Sequence, residues 1–228
     1  MRLPHSVDPQ RGHGAAFAVV SPPMNAPAQL YVIAAPSGAG KTSLVQALLA
    51  AEPRLALSVS HTTRAPRPNE VHGREYHFVT PEAFAELVLA GGFLEHAQVF
   101  DNHYGTGREQ VEAQLAAGRD VILEIDWQGA RQVRQARPGT RSIFILPPSL
   151  ATLRQRLEGR GTDSPAVIAR RLADAQGDLS HWHEFDYVVV NDRFEQALAD
   201  LRAVLAGQGQ GLRADRPALA PLLANLLA

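Results

Sequence analysis

The chain has 228 residues, 45% of them hydrophobic and 20% charged, a balance that suits one sizeable core with smaller insertions and excludes a fibrous or wholly disordered protein. A formal net charge of −1 argues against a general nucleic-acid binder. There is no cysteine, which excludes disulfides and Cys-ligated zinc and agrees with a reducing cytoplasm, and no apolar run approaches the roughly 18 residues of a membrane span.

Residues 1–28 are rich in Pro, Gly and Ala, show no period, and read as a flexible N-terminal extension. They lack a basic-then-apolar signal pattern. Met24 stands just before the first ordered-looking element and reads as an alternative start. The segment "LYVIAA" (30–35) is a short β-branched run and predicts a buried strand. Similar runs follow at "VILEID" (121–126), "SIFIL" (142–146) and "YVVV" (187–190). Helices are expected between them at 81–90, after Thr80 with Pro81 first, at 108–117, at 165–178 after Ser164, and at 194–206. Strands alternating with helices predict a parallel sheet covered by helices. The tail from 208 to 228 ends in a Leu/Ala-rich segment that reads as a docked helix.

The stretch "APSGAGKT" (35–42) matches the P-loop pattern, with Ala35 in place of its first Gly. A strand precedes it and a helical segment follows, which is the context the motif needs. Successive backbone N–H groups at a helix start form an anion site. Ala35, Pro36, Ser37, Gly38, Ala39, Gly40, Lys41 and Thr42 would cradle the phosphates of a nucleoside triphosphate. Lys41 would reach the β- and γ-phosphates, and Thr42 would hold Mg²⁺ through its hydroxyl.

A P-loop names the phosphoryl donor and leaves the acceptor open. "VSHTTRAPRPNEVHGREYHF" (59–78) places Arg64 and Arg67 in a Pro-rich loop, where planar guanidinium groups suit phosphate. Alone, such a pair reads more readily as a solvated basic loop. "ILEID" puts Glu124 and Asp126 two apart, hence on one face of a strand, at its carboxyl end. "HWH" (181–183) reads as a half-buried helix or turn in preference to a metal pair.

Taken together, these segments resemble the guanylate kinases, most strongly the bacterial ones. The likeness extends to "FLEHAQVFDNHYGT" (93–106), "ILEIDWQGA" (122–130), "FILPPS" (144–149), "RLEGRGTDS" (156–164) and "VVND" (189–192), in one order over about residues 29–205. The resemblance implies an α/β P-loop nucleoside monophosphate kinase, with a parallel sheet flanked by helices, a small inserted GMP-binding region and a helical lid. The expected layout is a flexible extension (1–28), a kinase domain (29–207) and a C-terminal tail (208–228). Within the domain the core would be 29–59, 107–148 and 182–207, the GMP-binding region 60–106 and the lid 149–181.

By the same resemblance, Arg64, Arg67, Tyr76 and Tyr104 bind the GMP phosphate, and Ser60, Glu95 and Thr106 read the guanine. The chemistry agrees: guanine's N1–H and N2–H₂ donors suit a carboxylate, and its O6 suits a hydroxyl donor. Adenine would leave Glu95 facing an acceptor. Glu124 and Asp126 serve the GMP side, with Asp126 orienting the Mg²⁺ shell or an acceptor-side arginine; Glu124 stands where the family is expected to carry Asp. Arg156, Arg160 and Arg171 are the lid arginines that approach the phosphates, so the catalytic set is Lys41, Arg64, Arg156, Arg160, Arg171 and Asp126. Asn191 lies beside the adenine pocket. No general base is needed, because a phosphate monoester is mostly a dianion at neutral pH.

The expected reaction is ATP + GMP → ADP + GDP with Mg²⁺, in a cytoplasmic monomer or homo-oligomer binding neither nucleic acid nor membrane, with dGMP left open as an acceptor. The alternatives are a related P-loop kinase for another small phosphate ester and a non-catalytic guanylate-kinase-like binding module.

Overall fold

In the computed structural model, which describes residues 27–99, 101–159 and 164–227, the apolar runs become one parallel sheet. Its strands are β1 (Leu30–Ala34), β2 (Leu55–Leu57), β7 (Asp120–Glu124), β8 (Arg141–Leu146) and β9 (Tyr187–Val190), in the order β2-β7-β1-β8-β9. Every residue of β1 is buried, as a central strand covered on both faces requires. The two faces alternate along it: Leu30, Val32 and Ala34 enter one core, Tyr31 and Ile33 the other. The expected N-terminal extension lies outside the described residues up to position 26, and so does Arg160.

One core is closed by α1 (Lys41–Ala51), α5 (Leu150–Glu158), α6 (Pro165–Leu179) and α7 (Phe194–Leu205), through Leu44, Val45, Leu48, Leu153, Ala175, Ala197, Leu201 and Val204. The other is closed by α3 (Arg108–Ala116), α4 (Trp127–Ala136) and α8 (Ala220–Leu226), through Val111, Ala130, Val133, Leu223 and Leu226. The Leu/Ala-rich end of the tail is therefore a docked helix. Ile33→Ala, at a fully buried position, is expected to lower unfolding free energy by about 3 kcal/mol, measured by urea denaturation.

Helix starts follow their capping residues. The hydroxyls of Thr80, ahead of α2 (Pro81–Leu89), and of Ser164 accept hydrogen bonds from Ala83 N and Val167 N, with Pro next in each case. β7 is shorter than expected. It ends at Glu124, and Asp126 leaves the strand to cap α4, its carboxylate accepting from Gly129 N at 2.8 Å. An Asp with extended backbone beside a helix start is better used as a cap than as a strand residue.

The polar segment after β2 builds a second sheet, β4-β3-β6-β5, from β3 (His61–Thr62), β4 (His77–Phe78), β5 (Phe93–Val99) and β6 (Asn102–Gly107). β5 and β6 form an antiparallel hairpin that pairs Glu95 with Thr106. The element α4 packs against β5 and so joins the two sheets.

Candidate active site

The P-loop occupies the bend between β1 and α1. Gly38 and Gly40 have φ of 88° and 90°, a conformation that other residues adopt only with strain. Gly40 immediately precedes the first helical residue, so the loop's amides and the helix N-terminus face one space. Lys41 Nζ donates to the carbonyl oxygen of Ile125 at 2.9 Å, and Thr42 Oγ1 donates to Glu124 Oε1 at 2.5 Å. Glu124 thus reaches the hydroxyl that the motif assigns to the metal. These are hard oxygen donors of the kind Mg²⁺ takes.

A cleft of about 990 Å³ runs from this loop to the second sheet. Of the residues expected at the site, Ala35, Pro36, Ser37, Gly38, Gly40, Lys41, Thr42, Ser60, Tyr76, Glu95, Tyr104, Glu124, Asp126 and Arg171 line it. Residues far apart in sequence therefore share one cavity at the carboxyl ends of the strands, where open α/β sheets hold ligands.

Glu95 is 4% exposed, and Thr106 Oγ1 donates to its Oε1 at 2.5 Å. Burial pushes this carboxyl up to about 7; the Thr106 hydroxyl pulls it down, and the Asp126 charge pushes it further up. Thr106 lies fully buried behind it. Gly129 was not singled out from the sequence. A Cβ there would stand 2.5 Å from Glu95 Oε2, so the glycine of "DWQGA" gives the carboxylate its place. A glycine in a helix's first turn was the available signal.

The arginines divide. Arg64 lies just past the end of β3, bonded to Glu70 Oε1 at 2.9 Å, with its guanidinium 5.4 Å from the Tyr76 ring centre. Glu70 also accepts from the backbone N–H of Arg67, whose residue is exposed. Glu70 is a further residue that sequence reasoning missed; it holds both ends of the Arg64–Arg67 turn. Arg156 and Asn191 do not face the cleft. Asn191 is 4% exposed, and both it and Arg156 lie behind the P-loop.

Asp178, on α6, also lines the cleft, and burial raises its carboxyl to about 6, with the Asp126 charge adding and the Trp127 side chain opposing. His181 stacks on Trp127 with ring centres 3.5 Å apart, and its Nδ1 is 2.7 Å from Glu184. "HWH" is a turn of 3₁₀ helix, and among the described residues no cluster of three potential metal ligands forms. No helix among them is long and apolar enough to cross a membrane.

Residues 27–208 match the family model described as guanylate kinase. The guanylate kinase of Alkalilimnicola ehrlichii is 57% identical over 201 residues, covering 88% of this chain and 99% of that one. The guanylate kinase of Escherichia coli K12 is 52% identical over 201 residues, covering 87% and 97%. The crystal structure of guanylate kinase from Anaplasma phagocytophilum superposes with a TM-score of 0.66 at 34% identity, over 86% of this chain and 93% of that one.

Proposed function

This chain belongs to the guanylate kinase family, and we propose that its cleft transfers the γ-phosphoryl group of ATP to GMP, giving ADP and GDP. The observation that carries the reading is the single cavity shared by the P-loop residues Gly38, Gly40, Lys41 and Thr42 and by Ser60, Tyr76, Glu95 and Tyr104. A donor loop and an acceptor site that open into one space can align two phosphates without a covalent intermediate.

Each side chain then has a task. The loop amides and Lys41 take the triphosphate, and Lys41 leaves Ile125 O to meet it. Mg²⁺ entering with ATP would be held through Thr42, whose hydroxyl donates its hydrogen bond to Glu124 and leaves its lone pairs free, and would neutralise charge on the β- and γ-phosphate oxygens. Tyr76, Tyr104, Arg64 and Arg67 take the GMP phosphate; Arg64 must exchange Glu70 for it. Glu95 accepts guanine's N1–H and N2–H₂, with Ser60 and Thr106 beside it and Asp126 fixing the neighbouring helix start. Arg171, which lines the cleft, would meet the transferring phosphoryl group. The acceptor's own dianion is the nucleophile, so closure over the cleft serves to exclude water, which would compete for the phosphoryl group. A cysteine-free chain suits the cytoplasm, which we take as its setting.

Coupled ADP release with Mg·ATP and GMP, dGMP, AMP, CMP or UMP tests this. GMP should be used at least a hundred-fold better than AMP, because adenine leaves Glu95 without donors. Equal use of AMP and GMP, or no turnover with any of the five, would overturn the acceptor assignment.

A further inference from the structure

The P-loop is braced from behind by residues that do not line the cleft. Asn191 follows β9, and its backbone N–H donates to Leu146 O at 2.8 Å, which fixes it to the neighbouring strand. Its side-chain Nδ2 donates to the carbonyl oxygen of Ala39 at 2.7 Å. Arg156, on α5, donates from Nη2 to Asn191 O at 3.0 Å and from Nη1 to the same Ala39 oxygen at 3.4 Å. A Cβ on Gly40 would collide with the Asn191 amide nitrogen, and one on Gly38 would stand 3.0 Å from Leu157 Cγ. The two left-handed glycines thus face α5 and the end of β9 at contact distance.

We infer that Asn191 is a positioning residue that acts through the phosphate loop: it anchors the Ala39 carbonyl so that the loop's amides stay aimed at the triphosphate, and it makes no contact with the nucleotide base. The physical argument concerns one peptide plane. The carbonyl of Ala39 and the N–H of Gly40 belong to the same planar unit and point in opposite directions. Holding the oxygen toward Asn191 and Arg156 holds that N–H toward the cleft. A loop with two glycines at positive φ has conformational freedom to lose, and a fixed carbonyl removes it before the ligand arrives. In this arrangement the Asn191 side chain is buried and its Nδ2 is engaged by the loop itself. The brace extends to Arg156, which ties the loop to α5.

This inference rests on the P-loop reading, and the experiment separates the two. Asn191→Leu keeps about the same volume and removes the donor. Steady-state kinetics would be measured with ATP and with ITP, which lacks the 6-amino group, alongside ¹H–¹⁵N spectra of the nucleotide-free protein. The expected result is a rise of about ten-fold in KM for both donors, with the ATP-to-ITP ratio and the KM for GMP within two-fold of the parent. The amide resonances of Gly38, Gly40 and Lys41 should shift in the free protein. A loss that is larger for ATP than for ITP would show a base contact and overturn the inference, as would unchanged donor KM values. If Asn191→Leu does not fold, Asn191→Ser, whose hydroxyl is too short to reach Ala39 O, should give the same base-independent pattern. Lys41→Ala is run in parallel: full activity there removes the premise, whereas an inactive Lys41→Ala with a base-dependent effect at Asn191 removes only this inference.

Discussion

Lys41→Ala should lower kcat for GMP phosphorylation by about a thousand-fold while leaving the folded protein intact. Lys41 is the first residue of α1, so its backbone is fixed by the loop and its side chain is carried into the cleft. There its ammonium donates to Ile125 O and lies among the carboxyl groups of Glu95, Asp126 and Asp178. A fixed cation aimed at the transferring phosphoryl group acts where charge is held in the transition state, and losing one such preorganised donor costs about a hundred- to a thousand-fold. A full positive charge belongs at the upper end of that range. The fold should tolerate the change, because the one hydrogen bond lost is worth about 1 kcal/mol and Ile125 O remains within reach of water. The check is a coupled ADP-release assay with saturating GMP, together with a thermal melt. Activity within ten-fold of the parent, at an unchanged melting temperature, would sink the P-loop assignment.

What is legible in the sequence depends on whether a residue's role is set by its own neighbours or by a distant partner. Central strands such as "LYVIA" are buried on both faces, so they are written as continuous apolar runs, and the parallel sheet could be read directly. The second sheet could not. Its strands β3 and β4 are two residues each, set among prolines and arginines, and their order is fixed by pairing with a hairpin some forty residues on. Asp126 was read as a strand residue because period two continues through "ILEID"; capping won over propensity at that position. Motif spacing identified the loop but not its sides. Nothing in "VVND" or "RQRLEGR" says whether Asn191 and Arg156 approach from the cleft or from behind, since that depends on how β9 and α5 pack on the loop. Glu70 and Gly129 escaped for a related reason. Each has its role only through a partner that the fold supplies, Arg64 for the one and Glu95 for the other.

Glu95 carries the second large effect, and the direction of its pH dependence follows from its surroundings. Guanine presents two donors, so the carboxyl must be ionised to accept both. In the free protein burial holds it at about 7, well above the usual carboxylate range. The protonated form therefore predominates below pH 7, and its proton must leave before GMP is accepted. Accordingly, kcat/KM for GMP should be level above pH 7 and fall toward ten-fold per unit below it. Glu95→Gln should lower kcat/KM for GMP about a hundred-fold, since its amide offers one acceptor and sets a donor against guanine's N2–H₂. The variant should also lose the break near 7. Two other ionisations can bend the profile at lower pH: the GMP phosphate, near 6, and Asp178, which burial raises to about 6. Both are present in parent and variant alike, so the difference between the two profiles belongs to Glu95. A parent profile that stays level from pH 8 to 6, or a variant that keeps the break near 7, would mean that the buried carboxylate does not read the guanine edge. Selectivity would then have to come from Ser60 and Thr106, and Thr106 is already donating its hydroxyl to Glu95.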